Sequence, residues 1–388
     1  MPDIHVLDVP HDVYVILTSR CNLRCLHCYG SFGEPEMKYG ELSGDEWCRV
    51  FSEMADIGVF FVNIAGGEPT IHPDFPRIVD HLADIGMHFV LTTNGLCDDR
   101  CIDAIERASD YIVGLKISLD GPTAGSHARI RVGPDYLGRD KYFDKTMATI
   151  NKISASQVPL TIATCLHDAN IGLMDEFTDL IKQINPVSWF ISTIAPNGRA
   201  KQFYSEIFAP DSHYDFDYWN GLKEEMRRAG IAVRYIDMPT AIGVAETRAA
   251  FSCPAASSFC EINSDGIVSP CPLSRVNIPA SLLQFPNIRD SSLKDIWSNQ
   301  AAFNTFRTWR SSGCSGCSSL SGCGRCVAQS VEWFDGDPYQ PTPFCVEKGD
   351  VLGLDNLDGL RAQIQRKKDS YNGASSNGRI FLPIVEAR

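Results

Sequence analysis

VYVILTSRCNLRCLHCYG, residues 13–30, runs from an apolar stretch straight into a cysteine cluster. Its first half is rich in β-branched and aromatic residues and reads as a strand buried on both faces. Its second half sets Cys21, Cys25 and Cys28 in a C-x3-C-x2-C spacing. A structural zinc site or a closed iron–sulfur cluster takes four protein ligands. Three thiolates leave one position for something else, which separates a catalytic metal centre from a structural one. Ligands that follow a strand directly lie at the carboxyl edge of a parallel sheet, where α/β active sites gather. The spacing by itself leaves an incomplete zinc site or a chance cluster open.

Five more apolar runs follow the first: VFFVNIA (59–65), MHFVLTT (87–93), YIVGLKISL (111–119), PLTIATCL (159–166) and SWFISTIA (188–195). Between them the apolar residues recur at helical spacing. One helix carries Trp47, Val50, Phe51, Met54 and Ile57 behind a capping box, Ser43 and Glu46. Others carry Phe75, Ile78, Val79, Leu82 and Ile85, then Leu173, Phe177, Leu180, Ile181 and Ile184. Six β–α units predict an α/β fold with a parallel sheet, open or curled into a partial (β/α)6, TIM-like barrel. A complete barrel needs two more units. Only a helix, FDYWNGLKEEMRRAG, and an extended run, IAVRYIDMP, come after.

Beyond about residue 240 the alternation stops and cysteines become dense: Cys253, Cys260, Cys271, Cys314, Cys317, Cys323, Cys326 and Cys345. Within this part EINSDGIVSPC reads as a β-hairpin turning at Asp265-Gly266, both expected at positive φ. The expected organisation is a barrel over 1–235, a cysteine-rich domain over 236–350, and a helix with a flexible SYNGASSNG tail over 351–388.

The chain has 388 residues, 44% hydrophobic and 21% charged, enough for an enzyme core. Its formal net charge of −13 argues against a nucleic-acid partner, which needs a basic face. No apolar run approaches 18 residues and the N-terminus lacks the pattern of a signal peptide, so neither a membrane span nor export is expected. A cytoplasmic setting follows, in which the fifteen cysteines bind metal or do redox chemistry rather than form disulfides.

With its GGEPT segment after the second strand, the opening motif resembles the radical S-adenosylmethionine (SAM) enzymes. Their signature is C-x3-C-x-Φ-C with Φ aromatic, and His27 stands at Φ here. The resemblance covers roughly residues 10 to 235. It implies that Cys21, Cys25 and Cys28 hold a [4Fe–4S] cluster whose fourth iron binds SAM. An electron from the cluster then cleaves SAM, and the 5′-deoxyadenosyl radical so formed takes a substrate hydrogen. Gly66, Gly67, Glu68 and Pro69 match the loop that receives the SAM amine; the glycines would let backbone approach the ligand. Asn94 in TTNG, Ser118 and Asp120 in SLDG, and Arg131 in HARIR match further cofactor-side positions, Arg131 facing the SAM carboxylate or ribose. Ala128 replaces the usual aspartate of HARIR, and PNGRA (196–200) at the end of the sixth strand is also family-like. Cys165, at the rim of the fifth strand, is a candidate hydrogen donor to a substrate radical.

The later cysteines resemble the SPASM extension of these enzymes, written C-x9-15-G-x4-C, then C-x2-C-x5-C-x3-C, then C. Cys253, Gly266 and Cys271 fit the first part; Cys314, Cys317, Cys323 and Cys326 fit the second with a gap shortened by one; Cys345 closes the set. By this resemblance Cys253, Cys260, Cys271 and Cys326 hold one auxiliary [4Fe–4S] cluster and Cys314, Cys317, Cys323 and Cys345 another, three clusters in all. If Cys253 or Cys260 is not a ligand, the first has an open iron. The spacing alone is also compatible with zinc.

An auxiliary cluster can accept the electron that a carbon radical must lose, so oxidation of a substrate C–H is the expected reaction. A reducing partner such as flavodoxin or ferredoxin is implied. The substrate is read as a ribosomal peptide, with a small molecule (a sugar, tetrapyrrole or other natural product) as the alternative. A non-catalytic metal or electron-transfer protein is the reading from another class. The barrel starts within about a dozen residues of Met1, leaving no room for a leader-binding domain ahead of it. Pro272 follows Cys271 where formylglycine-forming relatives carry a basic aspartate, which weighs against sulfatase maturation.

Overall fold

The computed structural model describes residues 5–34, 40–135, 140–208, 216–236, 253–312, 326–343, 346 and 357–377. Cys314, Cys317, Cys323 and Cys345 lie outside the described residues.

Strands β1 (Asp12–Ile16), β2 (Phe61–Ala65), β3 (His88–Thr93), β4 (Ile112–Ser118), β5 (Leu160–Leu166) and β6 (Ser188–Thr193) alternate with helices α1 (Gly44–Ile57), α2 (Phe75–Asp84), α3 (Asp99–Arg107), α4 (Ala124–Ala128), α5 (Asp140–Ser154) and α6 (Met174–Ile184). All six strands are parallel, each paired with its sequence neighbour. The capping box forms as expected: Ser43 N donates to Glu46 Oε2 at 2.8 Å and Glu46 N to Ser43 Oγ at 3.3 Å. Trp47, Val50, Phe51 and Met54 on α1 then bury one stripe against the sheet. The core is the layer between the sheet and these helices, where Val13, Val15, Val62 and Ile64 meet Phe51 and Phe75.

Three strands lie beyond the six β–α units. After α7 (Ala200–Ile207) and α8 (Phe216–Arg228), the extended run forms β7 (Ala232–Ile236), parallel to β6. β8 (Phe259–Ile262), from the cysteine-rich part, pairs in parallel with the free side of β1. A short β9 (Val268–Ser269) closes the hairpin, so the sheet order among the described residues is β7-β6-β5-β4-β3-β2-β1-β8-β9. The hairpin was expected; its pairing with β1 was not, because that partner lies far away in the chain. The hairpin turns on Gly266 alone, at φ 84; Asp265 is not among the positive-φ residues. Gly266 N donates to Asn263 O at 2.9 Å, so a longer turn that needs one left-handed residue replaces the two-residue type.

The remaining helices are α9 (Pro272–Asn277), α10 (Leu293–Asn299), α11 (Ala301–Ser312), α12 (Val327–Trp333) and α13 (Asp358–Asn377). α13 runs through the stretch expected to be flexible. Tyr371 explains this: its ring packs edge-on against Trp333 and its hydroxyl donates to Glu332 at 2.7 Å. No helix among the described residues is long and apolar enough to cross a membrane.

The sheet's inner face is polar. Asp12 and Tyr14 point away from the apolar layer, and Asn63 Nδ2 donates to Asp12 Oδ1 at 2.7 Å. Tyr14 stands opposite Glu261 of β8. Glu261 is fully buried, and burial pushes its carboxyl up to about 7 although the Ser269 hydroxyl pulls it down. Burial likewise raises Asp12 to about 6. Unfolding releases these protons wherever the unfolded carboxyls are already ionised, so folding stability falls as pH rises from about 4.5 to about 7. Denaturant titrations across that window should show the fall, and Glu261→Gln should flatten it, leaving the smaller share of Asp12. An unchanged slope in the variant would place the dependence elsewhere.

Candidate active site

The cysteine loop leaves the end of β1 and is tied down from several sides. Leu17 N donates to Ala65 O at 2.9 Å, Arg24 N to Val132 O at 2.8 Å and Leu26 N to Ile130 O at 2.8 Å. Glu41 gathers its start, accepting from Ser19 N at 2.7 Å and from Thr18 Oγ1 at 3.0 Å. Cys21, Cys25 and Cys28 line one wall of a cavity of about 570 Å³. That volume lies in the range of small-molecule and cofactor sites.

Gly66 and Gly67, after β2, line the cavity and also make a contact that was not expected. A Cβ on Gly67 would stand 2.1 Å from Arg20 O, and one on Gly66 2.5 Å from Thr18 O. The glycines therefore admit the cysteine loop's own backbone, with Gly67 N donating to Thr18 O at 2.8 Å and Glu68 N to Arg20 O at 2.9 Å. Glu68 is fully buried and turned toward β3. Its Oε1 accepts from Thr70 Oγ1 and Thr93 Oγ1, both at 2.7 Å, and its Oε2 from Asn94 N at 2.7 Å. Pro69 starts the single 3-10 turn Pro69–Ile71 that Glu68 caps. Asn94 Nδ2 donates to Asn22 Oδ1 at 2.7 Å, which ties the β3 end to the cysteine loop.

Asp120 organises the β4 side. Its Oδ2 accepts from Arg131 Nε at 2.5 Å, its Oδ1 from Cys165 N at 2.7 Å, and its carbonyl takes His167 Nε2 at 2.8 Å. Burial alone would raise the Asp120 carboxyl, but Arg131 together with His27 and His127 holds it down at about 2. Arg131, expected to reach SAM directly, spends its Nε on Asp120 and sets Nη1 3.8 Å from Cys25 Sγ. His27 Nε2 lies 3.8 Å from Asp120 Oδ2, and its buried Nδ1 has no hydrogen-bond partner among the described residues. Burial lowers His27 to about 3, so the ring is neutral at neutral pH. Ser118 and Cys165 also line the cavity. Cys165 Sγ sits 3.3 Å from Ser192 Oγ, and burial pushes its thiol up to about 12.

Arg199, of the PNGRA segment, was flagged by motif but given no role. It clamps the cysteine loop from the β6 end. Its N donates to Cys28 O at 2.9 Å, Nη1 to Cys25 O at 2.9 Å and Nη2 to Phe32 O at 2.9 Å. Gly198 beside it adopts φ 54, and a Cβ there would meet Tyr29 O at 2.1 Å. Glu41 and Asn22 had no signal in the sequence, since each acts through a contact between distant loops.

Pro272, Leu273 and Gln329 form part of the cavity's wall, just beyond Cys271 and Cys326. Among the described auxiliary cysteines, Cys271 has the Cys326 and Cys253 thiols as electrostatic neighbours. Cys260 is placed otherwise: it lies in β8 with no exposed surface, beside Asp12, Glu261 and Arg307.

Residues 15–181 match the model of the radical SAM superfamily, and residues 253–324 match that of the SPASM iron–sulfur cluster-binding domain. The chain is a radical SAM enzyme with a SPASM domain. It is 26% identical over 366 residues to the AdoMet-dependent heme synthase of Methanosarcina barkeri, covering 88% of this chain and 98% of that one. It is 29% identical over 344 residues to the mycofactocin maturase MftC of Mycobacterium tuberculosis, covering 88% and 84%. It is 27% identical over 292 residues to the PqqA peptide cyclase of Rhizobium meliloti, covering 75% and 74%. Its fold is that of Streptococcus suis SuiB bound to S-adenosylmethionine, with a TM-score of 0.71 at 18% identity over 88% of this chain and 78% of that one.

Membership implies SAM with a [4Fe–4S] cluster, and the SPASM domain implies further iron–sulfur clusters. The residues fit the first of these. Burial pushes the Cys25 thiol up to about 11 even with Arg131 pulling it down, and Cys21 higher still. Such thiols ionise only against strong positive charge, which iron supplies. Among the described residues no three His, Cys, Asp or Glu side chains are grouped to hold a single metal ion. A lone zinc ion would need its thiolates within about 2.3 Å of it.

Arg199→Ala removes the donor to the buried Phe32 carbonyl, at a cost of about 1–3 kcal/mol, and leaves the Cys25 carbonyl with the Cys28 N–H at 3.2 Å as its remaining donor among the described residues. The variant should melt lower than the parent and lose iron several-fold faster to a chelator, with Arg199→Lys intermediate. Equal rates of iron loss would show that the clamp does not hold the loop.

Proposed function

We propose that this enzyme oxidises a C–H position of a ribosomal peptide, by dehydrogenation or bond formation, using three [4Fe–4S] clusters and electrons from a flavodoxin or ferredoxin. The observation that carries the reading is one cavity bounded by both cysteine sets: Cys21, Cys25 and Cys28 on one wall, and the residues after Cys271 and Cys326 on another. A substrate held there faces a radical source and an electron acceptor together. The PqqA peptide cyclase relative supports the peptide class.

The chemistry supplied by the bound cluster and SAM is removal of a hydrogen atom from a substrate carbon. The chain's own groups prepare the place for it. Cys21, Cys25 and Cys28 hold the cluster; Gly66, Gly67, Glu68 and Pro69 shape the wall beside it; Asn94 and Ser118 offer polar atoms at the strand ends. Arg131, kept charged by Asp120, lowers the cost of negative charge at Cys25. His27 carries its unpartnered Nδ1 into a buried setting where a cofactor or substrate hydrogen-bond partner would satisfy it. Cys165 stays a neutral thiol at neutral pH, the form a hydrogen donor requires.

A tetrapyrrole is the second reading, favoured by alignment with the heme synthase over 98% of that protein. Protein purified without oxygen should carry about twelve irons, three clusters of four. With SAM and dithionite it should release 5′-deoxyadenosine, and alanine at Cys21, Cys25 and Cys28 should abolish this. Cys326→Ala should still cleave SAM yet lose at least ten-fold in product yield. A bound zinc without iron would end the proposal. Turnover of a tetrapyrrole but of no peptide encoded near the gene would move the substrate to the second reading.

A further inference from the structure

The two faces of the sheet are covered unequally. On the helix side Val13, Val62, Leu115 and Trp189 have no exposed surface. On the inner face their neighbours Asp12, Asn63, Lys116 and Phe190 are only half-buried. A complete eight-stranded barrel fills its interior with side chains. Here packing does not seal the inner face.

That face continues the cavity downward. Tyr14, Thr92, Ser118 and Ser192 line the cavity. Side chains two residues apart on a strand share a face. Asp12, Lys116 and Phe190 therefore lie one layer below Tyr14, Ser118 and Ser192, about 7 Å nearer the amino ends of the strands. Thr92 is the strand partner of Lys116 itself, so the cavity reaches down to the level of Lys116 at β3.

Two cations occupy this deeper layer. Lys116 Nζ stands 5.2 Å from the centroid of the Phe190 ring, and Arg234 of β7 is the strand partner of Phe190. Among the described residues neither cation has a carboxylate in ion-pair contact. The acid that acts on Lys116 electrostatically is Asp12, whose Oδ1 already accepts from Asn63 Nδ2 at 2.7 Å. Burial lowers Lys116, and the like charge of Arg234 lowers it further. An anion between the two cations would offset both effects.

We infer that Lys116 and Arg234 bind a carboxylate of the substrate beneath the cavity, and so fix which of its C–H positions reaches the cavity. The inference deepens the function proposed above and rests on it. With Asp12 ionised, one of the two cations remains unbalanced, which suits a monoanion better than a phosphate. Arg234 offers the planar fork that matches a carboxylate, and Lys116 a compact charge. About two residues of extended chain span the depth between the layers. The carboxylate is then a chain end or the tip of a long side chain, not a group on the reacting carbon.

The test uses the full chain, purified without oxygen, and reads its unfolding midpoint. Millimolar acetylglycylglycine should raise the midpoint, because a ligand that binds only the folded state stabilises it. Its neutral amide, acetylglycylglycinamide, and sodium chloride at equal ionic strength should not. Lys116→Met, which keeps an apolar stem on Phe190, should remove the shift, and so should Arg234→Gln at an exposed position. Lys116→Arg should retain it. A shift from the amide equal to that from the acid, or an undiminished shift in both Lys116→Met and Arg234→Gln, would overturn the site. Coproporphyrin is the second probe. A shift from its propionates alone, lost in the same variants, would support the site and move its substrate to the tetrapyrrole reading. A parent chain that releases 5′-deoxyadenosine with SAM and dithionite, yet shifts with neither probe, would overturn this inference alone. A parent that releases none would overturn the radical reading, and the substrate role of this site with it.

Discussion

A carboxylate with no exposed surface, Asp120, holds the rim of the site together. Burial works against its charge, and several kilocalories would be lost if the charge stood alone. Arg131 prevents this through the Nε contact at 2.5 Å. The same pairing leaves Arg131 Nη1 facing Cys25, and the other carboxylate oxygen holds the Cys165 backbone at the end of β5. One ion pair thus links the ends of β4 and β5 to a cysteine of the loop after β1. Breaking such a buried pair on one side only costs about 3–5 kcal/mol, because the survivor is left charged and unsolvated. The loop geometry and the electrostatics of the cluster site are for this reason one property.

The parallel sheet was legible because its strands are buried on both faces and so read as unbroken apolar runs between amphipathic helices. The grouping of Cys21, Cys25 and Cys28 on one cavity wall was legible because it depends on local spacing, and spacing is what a sequence displays. The positions of Gly66, Asn94 and Ser118 on the cavity wall were legible for a related reason: each sits at or just beyond a strand's carboxyl end, and a parallel sheet brings such ends together, while Arg131 reaches the same wall from beyond α4. All four line the cavity.

Roles were less legible than positions. Gly66 and Gly67 also admit the backbone of residues 17–20, a contact the reading as a ligand loop did not contain. Glu68 lines the cavity and also ties β2 to β3, a role its place in GGEPT did not announce. Both are contacts between loops far apart in sequence, and no periodicity encodes such contacts. The same limit concealed Arg199, whose three carbonyl and carboxylate partners lie about 165–174 residues away. Cys260 is the sharpest case. Its neighbours in sequence fit a ligand pattern, and only the pairing of β8 with β1 reveals that its side chain faces the core.

That pairing also decides how the two cysteine sets are related in space. Had the cysteine-rich part been joined to the barrel by a linker alone, the separation of radical source and electron acceptor would vary with linker motion. Instead β8 continues the barrel's sheet, hydrogen-bonded to the strand from which the first cysteine loop departs. Arg289 adds a second tie, reaching Glu46 at 2.7 Å and the Gly40 carbonyl at 2.8 Å. Asn277 of α9 adds a third, donating to Asn197 at 2.9 Å beside the Arg199 clamp. Electron transfer needs a short, fixed path from the substrate radical to its acceptor, and an oxidation needs it before the radical can recover a hydrogen atom. The β1–β8 pairing places Phe259 and the residues after Cys271 on the wall of the cavity that Cys21, Cys25 and Cys28 line, which suits such a path. On both sides of the break in sequence texture near residue 240 the described strands therefore belong to one sheet.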